Sequence, residues 1–300
     1  MIPMILGTMI LGKVIMVGLA LIAILAIIFA IGIAVAIGGY YTLLSPDGIM
    51  EHREDTTTHT PAGNVVIDAS TFGGNIEVGD SDTGNIEVIY DVHATQGHLA
   101  DIVTGTNYSM DGDTLDINAV ARLTSDSSML SVNRGADIYL KLPKNATYSF
   151  TLNTNGGNVK VPDTNGASMS IVTLGGNVDL NNVSYGSITV HTSGGSIDAD
   201  YSAANSSFDT QGGNIDLYAS KSEGSINAYT SGGNIDVWVH DGTLFSVDAS
   251  TTGGQIQYAP TTMTLSENNE EHIIGHTGAG EGNLSMSLQT LGGDIDLGYD

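Results

Sequence analysis

SITVHTSGGSIDAD, residues 187 to 200, carries two alternations separated by a glycine pair. Before the pair, Ile188 and Val190 alternate with Ser187, Thr189 and His191; after it, Ile197 and Ala199 alternate with Asp198 and Asp200. A period of two marks a strand with one buried face. Gly194-Gly195 permits a sharp bend or bulge between the two strands. The fragment therefore reads as strand, corner, strand.

The same fragment recurs. Glycine pairs begin at residues 73, 156, 175, 194, 212, 232, 253 and 292, a period near 20. Two residues before each pair stands Thr71, Thr154, Thr173, Thr192, Thr210, Thr230, Thr251 or Thr290. Three residues after its first glycine comes Ile76, Val159, Val178, Ile197, Ile215, Ile235, Ile256 or Ile295, and five after it another mostly apolar residue, from Val78 to Leu297. Between these sits Glu77, Lys160, Asp179, Asp198, Asp216, Asp236, Gln257 or Asp296.

A unit of this size cannot bury its apolar edge alone, so each must stack on the next. The expected architecture is all-β: a β-solenoid of about 20-residue rungs over residues 63–300, with about 12 units making a rod of roughly 55 Å. A two-sheet sandwich of hairpins is the structural alternative; it gives no reason for the fixed register. Residues 80 to 146 and 259 to 283 read as irregular or degenerate rungs. Gly194, Gly212 and Gly232 are expected at positive φ or where a Cβ would strike the adjacent rung. Asp294 and Asp296 are expected to blunt a terminal rung against end-to-end pairing.

Ahead of the repeats, VIMVGLALIAILAIIFAIGIAVAI spans Val14 to Ile37 without a charge. As a helix these residues would reach about 36 Å, enough to cross a bilayer core of roughly 30 Å. The expectation is a transmembrane anchor over 1–39, a juxtamembrane linker over 40–62 and an exterior domain beyond. A cleaved signal peptide, with Ala34-Val35-Ala36 as its site, is the competing reading. Lys13 precedes the span and acids follow it, which places the N-terminus in the cytoplasm and the remainder outside the cell. Ala26, Ala30, Ala34 and Gly38 form a small-residue ridge suited to self-association in the bilayer.

Of the eight Lys and Arg, seven lie after residue 46 together with all 33 Asp and Glu, a formal −26. Such a surface repels phosphate backbones and excludes a duplex nucleic-acid partner. Cysteine is absent, which removes disulfides and thiolate chemistry.

The pattern T-x-G-G-[NSQD]-[IV]-x-[VLAY] resembles the putative-adhesin (toastrack-type) family of repeated β-strand domains over about residues 65 to 297. That resemblance implies a fold of stacked strands, often joined to a membrane helix, and a label of adhesin-like without a shared ligand. Some relatives look like envelope-stress or signalling modules. It carries over no catalytic residue, because the recurring residues build rungs.

Asp179, Asp198, Asp216 and Asp236 are expected to stack on one outward face, either as a solvated acidic surface or with weak divalent-cation binding. No EF-hand or nonapeptide calcium motif occurs, and neither cofactor nor metal site is assigned. His93 and His98 fall on opposite faces of a strand, while His272 and His276 share one face without an acidic third ligand at fixed spacing. Among five N-x-[ST] acceptors, Asn182 and Asn205 are the candidate glycosylation sites, expected in turns between rungs. The function these features suggest is a non-catalytic, membrane-anchored cell-surface module, adhesin-like or scaffolding, whose partners are the lipid bilayer and surface glycans or proteins. An envelope sensory or regulatory module and a polysaccharide-active β-helix enzyme are the alternatives.

Overall fold

A computed structural model of the chain describes residues 50–124, 134–259, 263–280 and 282–300. The expected anchor, its orientation and the small-residue ridge lie outside these residues. Among the described residues no helix is long and apolar enough to cross a membrane.

The N-terminal block holds β1 (Met50–His59), β2 (Asn64–Thr71), β3 (Ile76–Asp80), β4 (Ile86–Thr95), β5 (Ile102–Asp111), β6 (Thr114–Leu123) and β7 (Arg134–Leu142). A regular block follows with β8 (Thr147–Thr154), β9 (Val159–Pro162), β10 (Asn165–Thr173), β11 (Val178–Thr192), β12 (Ile197–Thr210), β13 (Ile215–Ala219), β14 (Gly224–Thr230) and β15 (Ile235–Val239). The last block comprises β16 (Phe245–Ser250), β17 (Ile256–Tyr258), β18 (Met263–Asn268), β19 (His272–Thr277), β20 (Leu284–Thr290) and β21 (Ile295–Tyr299).

Each glycine pair joins an arm in one sheet to an arm in a second, and like arms pair in parallel from rung to rung. Sheet one runs β5, β6, β2, β8, β10, the end of β11, the end of β12, β14, β20, β16, β19, β18. Sheet two runs β1, β4, β7, β3, β9, the start of β11, the start of β12, β13, β15, β21, β17. Strands β11 and β12 pass from sheet two into sheet one; in β11 the pairing with β12 shifts register between Leu180 and Val183, where Asn182 takes φ 54°. Buried Ile, Val, Leu and Ala from both sheets fill the space between them, with Ile67, Ile138, Val159, Ile197, Ile215, Ile235 and Ile295 at 0% exposure. This is a β-solenoid repeat, as expected, and the parallel register excludes the hairpin sandwich.

Two ladders at the glycine corner explain the invariant positions. Every repeat threonine is buried and donates its hydroxyl across one rung, to a glycine carbonyl in seven cases and to that of Ala136 for Thr71, at 2.7–2.9 Å. From Thr154 onward, each hydroxyl also accepts the N–H of the second glycine of its own rung, at 3.1–3.3 Å. One residue further on, each Asn, Ser, Gln or Asp offers its backbone N–H to the side-chain oxygen of its counterpart, in the order Asp137, Asn75, Asn158, Asn177, Ser196, Asn214, Asn234, Asp294, Gln255, at 2.7–3.1 Å. The corner thus satisfies backbone groups that a sharp bend would otherwise strand.

Several expectations are corrected here. Gly194, Gly212 and Gly232 have neither positive φ nor a Cβ clash; the second glycine of each pair carries the constraint, since a Cβ on Gly195 or Gly213 would overlap the carbonyl of Gly176 or Gly195. Among the described residues nine rungs stack rather than about 12, a length of about 40 Å. The missing residues form antiparallel closures instead: β5, β4 and β1 at one end, β18 and β19 at the other. Part of the expected linker, Met50–His59, is strand β1, paired antiparallel with β4; its Arg53 and Thr57 bond Thr104 and Thr106 of β5. The rung of Asp294 and Asp296 is not terminal, because β20 lies between β14 and β16, and β21 between β15 and β17.

Candidate functional site

With Ile235, Val237 and Val239 buried, Asp236 and Trp238 must face outward, and the same alternation holds on every second arm. Register therefore builds a row across sheet two: Tyr139, Glu77, Lys160, Asp179, Asp198, Asp216, Asp236, Asp296, Gln257. The four expected aspartates stack as predicted, and the intercalated rung adds Asp296 as a fifth. Neighbours about 4.8 Å apart in strand spacing repel one another. Asp236 is pushed up to about 6, first by burial, then by a hydrogen bond shared with Asp216 and by the charges of Asp216, Asp296 and Asp294. Asp198 is raised for the same reasons, burial first and then Asp179, Asp216 and Asp200.

Beside this row the face changes character. Tyr218 of β13 pairs with Trp238 of β15, and Trp238 with Gly298 of β21. The six-membered ring of Trp238 occupies the place where a side chain at 298 would stand. An open groove of about 390 Å³ lies here, lined by Asp236, Trp238, Gln257, Tyr258, Ala259, Asp296 and Leu297. The sequence analysis missed it. Its one visible signal was the position of the chain's single tryptophan, two residues after an outward aspartate.

Sheet one presents a different surface. Ser168, Ser187, Asn205, Ser225, Ser285 and Ser246 are in register, and so are Thr151, Ser170, Thr189, Ser207, Asn227 and Ser287. Over these stretches the columns carry hydroxyls and amides, and the second runs into Asp68 at one end and Asp248 at the other. A third column on the same face sets His191 beside Asp209, 3.0 Å apart.

Among the histidines, His52 and His93 meet across β1 and β4, with ring centroids 6.2 Å apart. His98 bonds Asp101 at 2.9 Å, and the His93 ring packs against Gly135. His272 and His276 share one face of β19, as expected; His272 sits between Asp248 at 2.9 Å and Glu267 at 3.2 Å, and the bond to Asp248 raises its pKa. Among the described residues no group of three or more His, Asp and Glu is arranged to hold a metal ion. Asn182 is exposed at a return corner, its Nδ2 donating to Asp163 at 2.8 Å. Asn205 is exposed too, yet it lies within the sheet-one part of β12 rather than in a turn, and its Oδ1 accepts from Ser225 at 3.1 Å.

Asp236 and Asp296 adjoin a groove, the setting in which paired carboxylates cut glycosidic bonds. Such catalysis needs one carboxyl on each side of the scissile bond. Here both rise from the same flat face, as members of a row of five. The arrangement can hold a ligand from beneath but does not bracket one.

Comparison with known proteins adds the following. A search of curated proteins found no match. Among solved structures, a putative cell adhesion protein from Clostridium sporogenes is 11% identical, with TM-score 0.44, covering 83% of this chain and 100% of its own. A putative adhesin from Bacteroides fragilis is 15% identical, with TM-score 0.36 and coverage of 84% and 98%. A putative lipid binding protein from Parabacteroides distasonis is 16% identical, with TM-score 0.39 and coverage of 83% and 97%. The family described as Toastrack DUF4097 matches residues 64–217, just over half of the chain. The corner ladders continue unbroken past that match, through Thr230, Thr251 and Thr290. This chain belongs to the Toastrack DUF4097 family.

Proposed function

We propose that the chain is a non-catalytic surface module, held to the cell membrane by residues 1–39 and presenting its β-solenoid outside the cell for adhesion or scaffolding. The observation that carries this reading is the pair of repetitive outer faces, one with a row of five aspartates and one with columns of hydroxyls and amides. Flat repetitive faces act through area and multivalency rather than through one deep site. In this reading divalent cations associate weakly along the aspartate row, and Asn182 and Asn205 are the acceptors if the host glycosylates its surface. Topology is tested by protease shaving of intact cells, which should remove the acidic domain and spare the anchor. Partner binding is tested by capture from intact envelopes with the full chain. Retention of surface glycans or proteins supports adhesion, capture of only membrane proteins through the anchor favours a sensory or regulatory role, and turnover of an envelope polysaccharide defeats both.

A further inference from the structure

We propose that the groove beside Trp238 is a saccharide subsite that takes an uncharged sugar, its ring laid on the indole and its hydroxyls donated to Asp236, Asp296 and Gln257. The inference deepens the surface-module reading and rests on it. It starts from two consecutive aromatic side chains, Tyr218 and Trp238, in an outward column that holds Asp200 one rung earlier. An indole with an open side offers an apolar plane with a wet rim, the complement of a pyranose, which has an apolar face of C–H groups and an equator of hydroxyls. Tyr218, 43% exposed and in register with Trp238, extends the aromatic strip one strand further. The Trp238 ring lies over Gly298, which has no side chain to displace it, and Ala259 lines the groove with a single methyl.

The polar lining selects among sugars. Two carboxylates accept and cannot donate when ionised, and Gln257 adds an amide that does both. Acceptors in the lining therefore outnumber donors. Hydroxyl groups would meet the need. Anionic sugars are excluded, because a uronate, sulfate or phosphate would approach a row of five aspartates. A second copy of this chain is excluded on the same ground, since its own like face is equally acidic.

The chain itself supplies the probe. Trp238 is the single tryptophan, so tryptophan emission from the full chain in detergent reports this groove alone. Neutral hexasaccharides of glucose and mannose in α- and β-linkage should shift or quench the emission, whereas oligogalacturonate should not. In affinity electrophoresis through the responding neutral polysaccharide, Trp238→Ala should lose binding by at least about tenfold. Gln257→Ala, at a rim position outside the core, should weaken it with no change in melting temperature, which guards against a misfolded Trp238 variant. Trp238→Phe should recover part of the binding. No response to any neutral sugar, a response to spermine alone, or undiminished binding by Trp238→Ala would each overturn the subsite. If Trp238→Ala still captures envelope material as the parent does, the subsite falls while the surface-module reading stands. If the parent chain captures nothing, both fall.

Discussion

A methyl group added to Gly194 would meet nothing nearer than 3.7 Å, whereas one added to Gly195 would overlap the Gly176 carbonyl. Gly194→Ala should therefore change stability by no more than about 0.5 kcal/mol, and Gly195→Ala should cost about 3 kcal/mol, read from urea midpoints of the two variants. Equal midpoints would refute the assignment. Thr192 makes a parallel case, since its hydroxyl both donates to Gly176 at 2.9 Å and accepts from Gly195 at 3.2 Å. Thr192→Val keeps the shape, strands both backbone groups and should cost about 2 kcal/mol by the same measurement. The sequence displayed all eight threonines in register and concealed what they do, because each bonds to a carbonyl on a different rung. It also displayed both glycines without telling them apart; the difference arises only when the next corner stacks on the first. Asp236 makes a third prediction. Its folded pKa, about 6, stands above the ordinary 3.8, so the folded state holds more protons than the unfolded state between those values. Stability from this group therefore falls as pH rises from about 4 to 6 and stays low above that. Asp236→Asn should melt higher than the parent at pH 7, with the gap closing as the pH is lowered below 6.

Antiparallel strands close the stack where parallel rungs end, and here the sequence was least legible. Period two reports a strand and one buried face but not the direction of its neighbour, so β4, β5, β18 and β19 read as poor rungs. β1 read as linker because its Thr-rich, partly charged stretch has little apolar content; every residue of it is half-buried or exposed. The C-terminal closure carries its own titrating clasp. His272 of β19 reaches Asp248 of β16 on one side and Glu267 of β18 on the other. Its pKa is raised above 6.5, so its contribution is complete below that value and is lost as pH rises through the higher folded value. Amides of β18 and β19, followed by hydrogen exchange and corrected for the intrinsic rate, should open more often at pH 8 than at pH 6. His272→Gln should remove the difference, and a pH response that survives in that variant would rule the clasp out.

Across the whole molecule the acids follow the rungs, so their repulsion is cumulative. At 0.1 M salt the screening length of about 10 Å spans two rung spacings, and at 1 M it falls to about 3 Å, less than one. The melting temperature should therefore climb from low to molar sodium chloride, and a flat profile would contradict the repulsion. Fold class, repeat length, corner position and the aspartate row could all be read from one periodic pattern. The groove beside Trp238 could not, because it depends on which rungs are neighbours, and stacking order departs from chain order at both ends.

That departure governs how the chain can be made. Residues 245–258 emerge from synthesis before 284–299, yet the later segment lies between them and the rung at 224–239. Rungs cannot close one after another like a zipper; the earlier segment must wait, with one edge unmatched, until its neighbour arrives. A message cut short before residue 284 would yield two rungs with no common partner and a split core, not a slightly shorter rod. Chains that stop short of residue 284 should therefore be cut faster by added protease than full-length ones.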